Sequence, residues 1–221
     1  MTDYCVHPAQ ALASVARVGG TKTPDRERIC ALRPDVVLAN REENRRLDVE
    51  HLERAGLRVF VTYARSVDEA AAEIGVLGQL VGRSGEAEAL CAEIAQARSA
   101  LPERAPVRVV ALIWKHPYMA VGPDCFASDL LRICGGQNAV PAGRRRYPQL
   151  DTRALAALAP DVILLPTEPY AFGAEDIPEL LALDCPAARQ RRVHVVEGEL
   201  LTWYGPRIAR AIEVFGALLG S

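Results

Sequence analysis

One phrase occurs twice in the chain and limits what it can fold into. Leu-x-Pro-Asp-Val-(Val/Ile)-Leu stands at residues 32–38 and again at 158–164, 126 positions later. Each copy closes a helical stretch and opens a short apolar run, Asp35-Val36-Val37-Leu38-Ala39 and Asp161-Val162-Ile163-Leu164-Leu165. Runs of this length, rich in β-branched residues and bounded by proline, read as buried strands. A loop, a helix and a second run follow each copy, at 58–62 and 192–196, and a glycine pair precedes each, Gly19-Gly20 and Gly135-Gly136. One supersecondary unit used twice, at too long a period for a solenoid, predicts two similar lobes. Strands alternating with helices predict an α/β class with parallel sheets. Clefts between lobes are favoured places for ligands.

The stretch between the two units reads as helix. Ser66-x-x-Glu69 has the form of a capping box, opening a helix to about residue 81, and 86–101 resumes with Leu90, Ile94 and Ala97 at helical spacing. The organisation expected is an N-terminal lobe over 1–65, a helical linker over 66–105 and a C-terminal lobe over 106–221. Thr23-Pro24-Asp25 should start a helix with the threonine as cap and the proline at its first position, and Gly205-Pro206 should start the last one. The second copy carries ten more residues between glycine pair and strand than the first, among them Arg144-Arg145-Arg146-Tyr147-Pro148. An insertion of that kind belongs on a functional face.

Composition narrows the partners. A net charge of -2 gives no general attraction to nucleic acid or an anionic membrane. No apolar run reaches the roughly 18 residues that span a bilayer. Met1-Thr2-Asp3-Tyr4-Cys5 has neither the basic nor the apolar region of a signal peptide, so the sequence as written reads as cytoplasmic. The six cysteines lack paired spacing, and Cys30, Cys91 and Cys134 lie beside Ile or Leu, where a thiol packs as a small hydrophobe.

Ligands of open parallel sheets bind outside the carboxyl ends of the strands. The loops at those ends hold Asn40, Tyr63, Trp114-Lys115-His116-Pro117-Tyr118, Glu168-Pro169-Tyr170-Ala171-Phe172 and Trp203-Tyr204. Both tryptophans and five of the six tyrosines sit in these or adjoining loops, although aromatics make up only 5% of the chain. Rings with polar tips suit a flat or bulky ligand. Support for catalysis is poor: no nucleophile elbow, zinc-protease helix, phosphate loop or dinucleotide fingerprint occurs. His51 and His194 read as structural. His7 and His116, in loops, are candidates to touch ligand or metal. Glu168 would accept hydrogen bonds from a ligand, coordinate a metal, or pair with an arginine.

Several strings, in order along nearly the whole chain, resemble the cobalamin/iron-chelate class of ABC-transporter solute-binding proteins, also called helical-backbone metal receptors. They are Val18-Gly19-Gly20-Thr21-Lys22 with Pro24-Asp25, the phrase at 32–39 with Asn40-x-Glu42-Glu43-Asn44, Trp114-x-x-Pro117-x-Met119, Arg146-Tyr147-Pro148, Pro160 to Pro166 with Glu168-Pro169-Tyr170-x-Phe172, and Trp203-Tyr204-Gly205-Pro206. The resemblance implies two Rossmann-like lobes joined by a long backbone helix, 86–101 here. A metal chelate would lie in the groove: a corrinoid such as cobalamin first, a ferric siderophore or haem next. By position, Tyr4, His7, Asn40, Tyr63, Trp114, Tyr118, Arg146, Tyr147, Glu168, Tyr170, Trp203 and Tyr204 would line it. Arg146 would suit a carboxylate or phosphate. The same resemblance implies a monomer without intrinsic cofactor, an extracytoplasmic location and an ABC permease as partner.

Two departures stand beside it. The strand–helix unit with which family members begin is not matched, so either the start codon is mis-set or the first lobe is incomplete, with strand edges needing cover. Arg45-Arg46 lies where a permease-docking acid is expected, with Asp48 and Glu50 a turn later. The alternatives are a chelatase-like enzyme of metal or tetrapyrrole chemistry, with His7, His116 and Glu168 holding the metal, and a truncated paralogue that binds nothing.

Overall fold

The computed structural model describes residues 1–143 and 145–220, and the chain divides into two units, Met1–Tyr63 and Ala64–Ser221. The first holds α1 (Ala9–Leu12), α2 (Arg26–Leu32), β1 (Val37–Asn40), α3 (Arg46–Arg54) and β2 (Val59–Thr62). β1 and β2 pair in parallel, from Val37 opposite Val59 to Asn40 opposite Thr62. Val18, Ile29 and Leu52 form the buried core, with Cys30, Val37, Leu57 and Val59 against it. Asp25, not Thr23, caps α2: its carboxylate accepts the Arg28 N–H at 2.9 Å. Pro24 instead lies in an extended bridge to Gly19, which moves the helix start past it.

The second unit holds α4 (Val67–Leu80), α5 (Ser84–Ser99), β3 (Val107–Trp114), β4 (Tyr118–Ala120), α6 (Phe126–Ile133), β5 (Gly136–Asn138), β6 (Gln149–Leu150), α7 (Thr152–Ala157), β7 (Val162–Pro166), a 3-10 turn at Ala174–Asp176, α8 (Ile177–Leu181), α9 (Pro186–Arg189), β8 (Val193–Val196), α10 (Gly198–Thr202) and α11 (Ile208–Gly220). β7 lies between β3 and β8, parallel to both. The other edge of β3 is shared: β5 pairs with its first half in parallel and β4 with its last residues antiparallel. β6 closes the sheet beyond β4.

Alternation along the central strands builds two cores. Val109, Ala111, Val162 and Leu164 face one cluster with Phe126, Leu130, Ile212 and Phe215. Val110, Leu112, Ile163 and Leu165 face another with Leu155, Leu180 and Ala187. A sheet covered by helices on both faces reads as continuous apolar sequence, as β7 does. The chain is thus α/β with parallel sheets, and α5, its longest helix at 16 residues, falls between the two repeated units in sequence. Within the second unit α5 packs on α4 and α11.

The duplicated phrase is a duplicated backbone. Its variable residue is left-handed in both copies, Arg33 at φ 46° and Ala159 at φ 45°. The N–H of Arg33 reaches the Cys30 carbonyl at 3.1 Å, and that of Ala159 reaches the Ala156 carbonyl at 2.9 Å. The following proline cannot continue a helix and pushes its predecessor out of the right-handed region, so the chain turns there into the strand. The first glycine of each pair also has positive φ, 82° at Gly19 and 90° at Gly135. Surroundings differ, however. β7 has two strand neighbours, whereas β1 has one among the described residues.

Two starts shift. Ser66 accepts the Glu69 N–H at 3.0 Å as expected, but the Glu69 carboxylate returns to the Arg65 N–H, one residue before the cap. α11 begins at Ile208, whose N–H bonds the Gly205 carbonyl, so Pro206 precedes the helix.

Candidate functional site

Trp114 ends β3, and Tyr170 follows β7 by four residues, so two adjacent parallel strands deliver them to one end of the sheet. Their ring centroids are 5.7 Å apart in an edge-to-face arrangement, and Tyr170 meets Phe172 at 4.6 Å. Such contacts orient rings as well as bury them. Phe172 is only 3% exposed, whereas Trp114 keeps 43% of its surface open. The row therefore runs from the core to an open indole. Tyr118 does not join that surface: it is buried in the cluster beneath the sheet. Burial, with the Glu179 carboxylate beside it, pushes its phenol up.

A salt bridge spans the same loops. Lys115 Nζ lies 2.7 Å from Asp176 Oδ1 and 2.8 Å from Glu179 Oε2. Both bonds raise the lysine's pKa, and Lys115 holds both carboxyls below their ordinary range.

Glu168 meets the neighbouring strand-end loop. Its Oε1 accepts the Thr202 hydroxyl at 3.1 Å, and the Gly198 N–H donates to Thr167 Oγ1 at 3.0 Å. A Cβ at Gly198 would fall 2.6 Å from the Glu168 amide nitrogen, so only glycine permits this approach. Tyr204 packs at 5.3 Å on Phe126, against the opposite core, and Arg207 covers Trp203 at 5.4 Å while pairing with Glu199 at 2.9 Å. Trp203 and Tyr204 thus pack on Arg207 and Phe126 respectively. Arg146 and Tyr147 are half-buried in a loop pinned by the Gly122 N–H to the Arg146 carbonyl at 2.6 Å. Arg144 lies outside the described residues.

In the first unit, Asn40 organises its own loop. Its side-chain oxygen accepts the N–H groups of Glu42 and Glu43, and its amide donates to Thr62 Oγ1 at 3.1 Å. Arg41 stacks over Tyr63 at 4.4 Å from the ring centroid. Tyr4 is 65% exposed and lies over Gly20; His7 is exposed. The acids near the expected docking position are engaged at home. Asp48 is buried between Arg45 and Arg26, and Glu50 pairs with Arg46 at 2.6 Å.

No group of three or more His, Cys, Asp and Glu side chains suited to a metal ion occurs among the described residues. No described helix is long and apolar enough to cross a membrane. Sequence reasoning placed Lys115 in a strand-end loop without a role and passed over Asp176, Thr202, Arg41 and Arg207. The signal available was an ionisable residue directly beside an aromatic one, as in Trp114-Lys115, but its partners lie far off in sequence.

Residues 2–199 match the family profile described as "Periplasmic binding protein". The chain is similar to a vitamin B12-binding protein of Vibrio cholerae, 22% identical over 217 residues that cover 96% of this chain and 78% of that one. A vitamin B12-binding protein of Vibrio campbellii is 28% identical over 169 residues, 74% of this chain and 59% of its own. Among solved structures, the periplasmic heme-binding protein BhuT in complex with two hemes is 28% identical, with a TM-score of 0.81 over 97% of this chain and 85% of that one. The periplasmic vitamin B12-binding protein BtuF of Vibrio cholerae, at 21% identity, shares the fold with a TM-score of 0.84 over 99% and 86%.

Proposed function

The chain belongs to the periplasmic binding protein family, and from that membership we propose that it is a non-enzymatic receptor that captures a metal chelate for an ABC importer. The ligand class is a corrinoid, haem or ferric siderophore; the first two are what its vitamin B12- and heme-binding relatives are named for. The observation that carries the reading is the ring row Trp114–Tyr170–Phe172, which leaves an indole open at the carboxyl ends of β3 and β7. Strand ends are where parallel sheets hold ligands, and an open ring backed by buried rings offers a rigid apolar face. Glu168, Arg146, Tyr147, Trp203 and Tyr204 complete the contact set proposed for this unit. In this role the protein works outside the cytoplasm and hands its ligand to a permease.

The test is calorimetric titration with cyanocobalamin, hemin and a ferric hydroxamate. One of the three should bind in the micromolar range or tighter, and Trp114→Ala with Tyr170→Ala should weaken it by about 2 kcal/mol or more, the scale of a buried aromatic contact. An unchanged affinity in the double variant would remove the ring row from the site.

A further inference from the structure

The rings of this surface ride on two loops, 114–118 and 168–176, and ring contacts alone do not hold those loops together. Lys115, next to Trp114, bonds Asp176 at 2.7 Å and Glu179 at 2.8 Å. Asp176 uses its other oxygen to accept the Gly173 N–H at 2.9 Å, one residue past Phe172. Glu179 also stands beside the Tyr118 phenol, at the far end of the first loop. One ammonium therefore ties the segment bearing Trp114 to the segment bearing Tyr170 and Phe172. Its side chain is 12% exposed and that of Asp176 is 7%. A buried ion pair is a poor device for stability, since apolar residues of similar volume serve as well or better. What it does supply is direction, because charge-assisted hydrogen bonds fix the atoms they join.

We propose that Lys115 is a positioning residue: through Asp176 and Glu179 it locks the two loops so that Trp114 and Tyr170 stand as a pre-set platform for the chelate. This rests on the reading of those rings as ligand contacts. A preset surface binds more tightly because less ordering remains to be done on association.

The test compares wild type, Lys115→Met, Lys115→Arg, Trp114→Ala and the double variant Lys115→Met/Trp114→Ala. The probe is whichever of cyanocobalamin, hemin and the ferric hydroxamate the wild type binds. Lys115→Met should raise Kd about tenfold, as expected when a preset surface must be ordered on binding. Lys115→Arg should lie nearer wild type, and the loss should shrink when Trp114 is already alanine, since only Tyr170 is then left to position. Lys115→Met/Asp176→Asn removes the stranded carboxylate; it should melt close to wild type yet keep the affinity loss. Equal losses with and without Trp114, or no loss in either Lys115→Met variant, would overturn the proposal. If the wild type binds none of the three probes, the receptor reading fails and the latch is judged on the free protein. Its near-ultraviolet circular dichroism should then contain a Trp114 signal, defined against Trp114→Ala, that disappears in Lys115→Met/Asp176→Asn; a retained signal would overturn the latch as well.

Discussion

Trp114 and Tyr118 end the two sides of one tight loop, yet the first keeps 43% of its surface and the second 6%. Place in the sheet decides between them: Tyr118 lies in the cluster beneath β4, while Trp114, opposite Met119 and past a register shift in the β3–β4 pairing, is the last residue of its strand. The same contrast separates the thiols. Cys125, Cys134 and Cys185 are buried, and burial pushes Cys134 up to about 12. A thiol reagent at pH 8 should reach Cys5, Cys30 and Cys91 in the folded protein and the other three only after denaturation; fast labelling of Cys134 would contradict this. His194 in β8 is held below its ordinary pKa, first by burial and then by the Arg192 charge. A proton therefore binds the unfolded chain before the folded one. The stability His194 contributes is complete above about pH 6.5 and declines as pH falls through that value. Urea midpoints between pH 7.5 and 5.5 should fall less in His194→Gln than in wild type, and equal slopes would remove His194 from the pH dependence.

The repeated phrase works at the scale of the element because proline and a left-handed residue end the helix at a fixed place. Arg33 and Ala159 both adopt that conformation without glycine's freedom. Relieving it offsets the entropy that glycine loses on folding, so Ala159→Gly should be neutral to about 1 kcal/mol stabilising, while Ala156→Gly inside α7 should cost about 1 kcal/mol. Thermal unfolding of the pair distinguishes them, and equal losses would deny the left-handed cap. At Gly198 the sign reverses. A Cβ there meets the Glu168 backbone, so Gly198→Ala should cost about 1–3 kcal/mol, the usual penalty of overpacking. Both repeated strands, their partners and the α5 helix were legible in the sequence, because proline, glycine and apolar runs act locally. Caps were not. Thr23 and Asp25 are equally good candidates by composition, and the bridge between Gly19 and Pro24 chose Asp25.

Taken whole, the two units carry the same motif on unequal foundations. The second buries two extensive clusters on a six-stranded sheet, whereas the first buries three apolar side chains beneath two strands and leaves Leu38, Leu47 and Val61 exposed. Amide exchange in β1 and β2 should therefore be faster than in β3 and β7, since little apolar surface must open to release it. Equal protection would mean the first unit draws stability from elsewhere. The strand-end rule located the rings at 114 and 170 from sequence alone, because parallel strands deposit their following loops on one edge. It could not sort open rings from buried ones, nor find the Lys115–Asp176 pair, whose members lie 61 positions apart. Those depend on packing between distant segments. The most direct test of the receptor is dialysis of the purified protein against an equimolar mixture of cyanocobalamin, hemin and ferric hydroxamate, followed by visible absorption of what stays bound. The account predicts that one chelate is retained and that Trp114→Ala/Tyr170→Ala protein loses it; a wild-type protein that emerges colourless would contradict it.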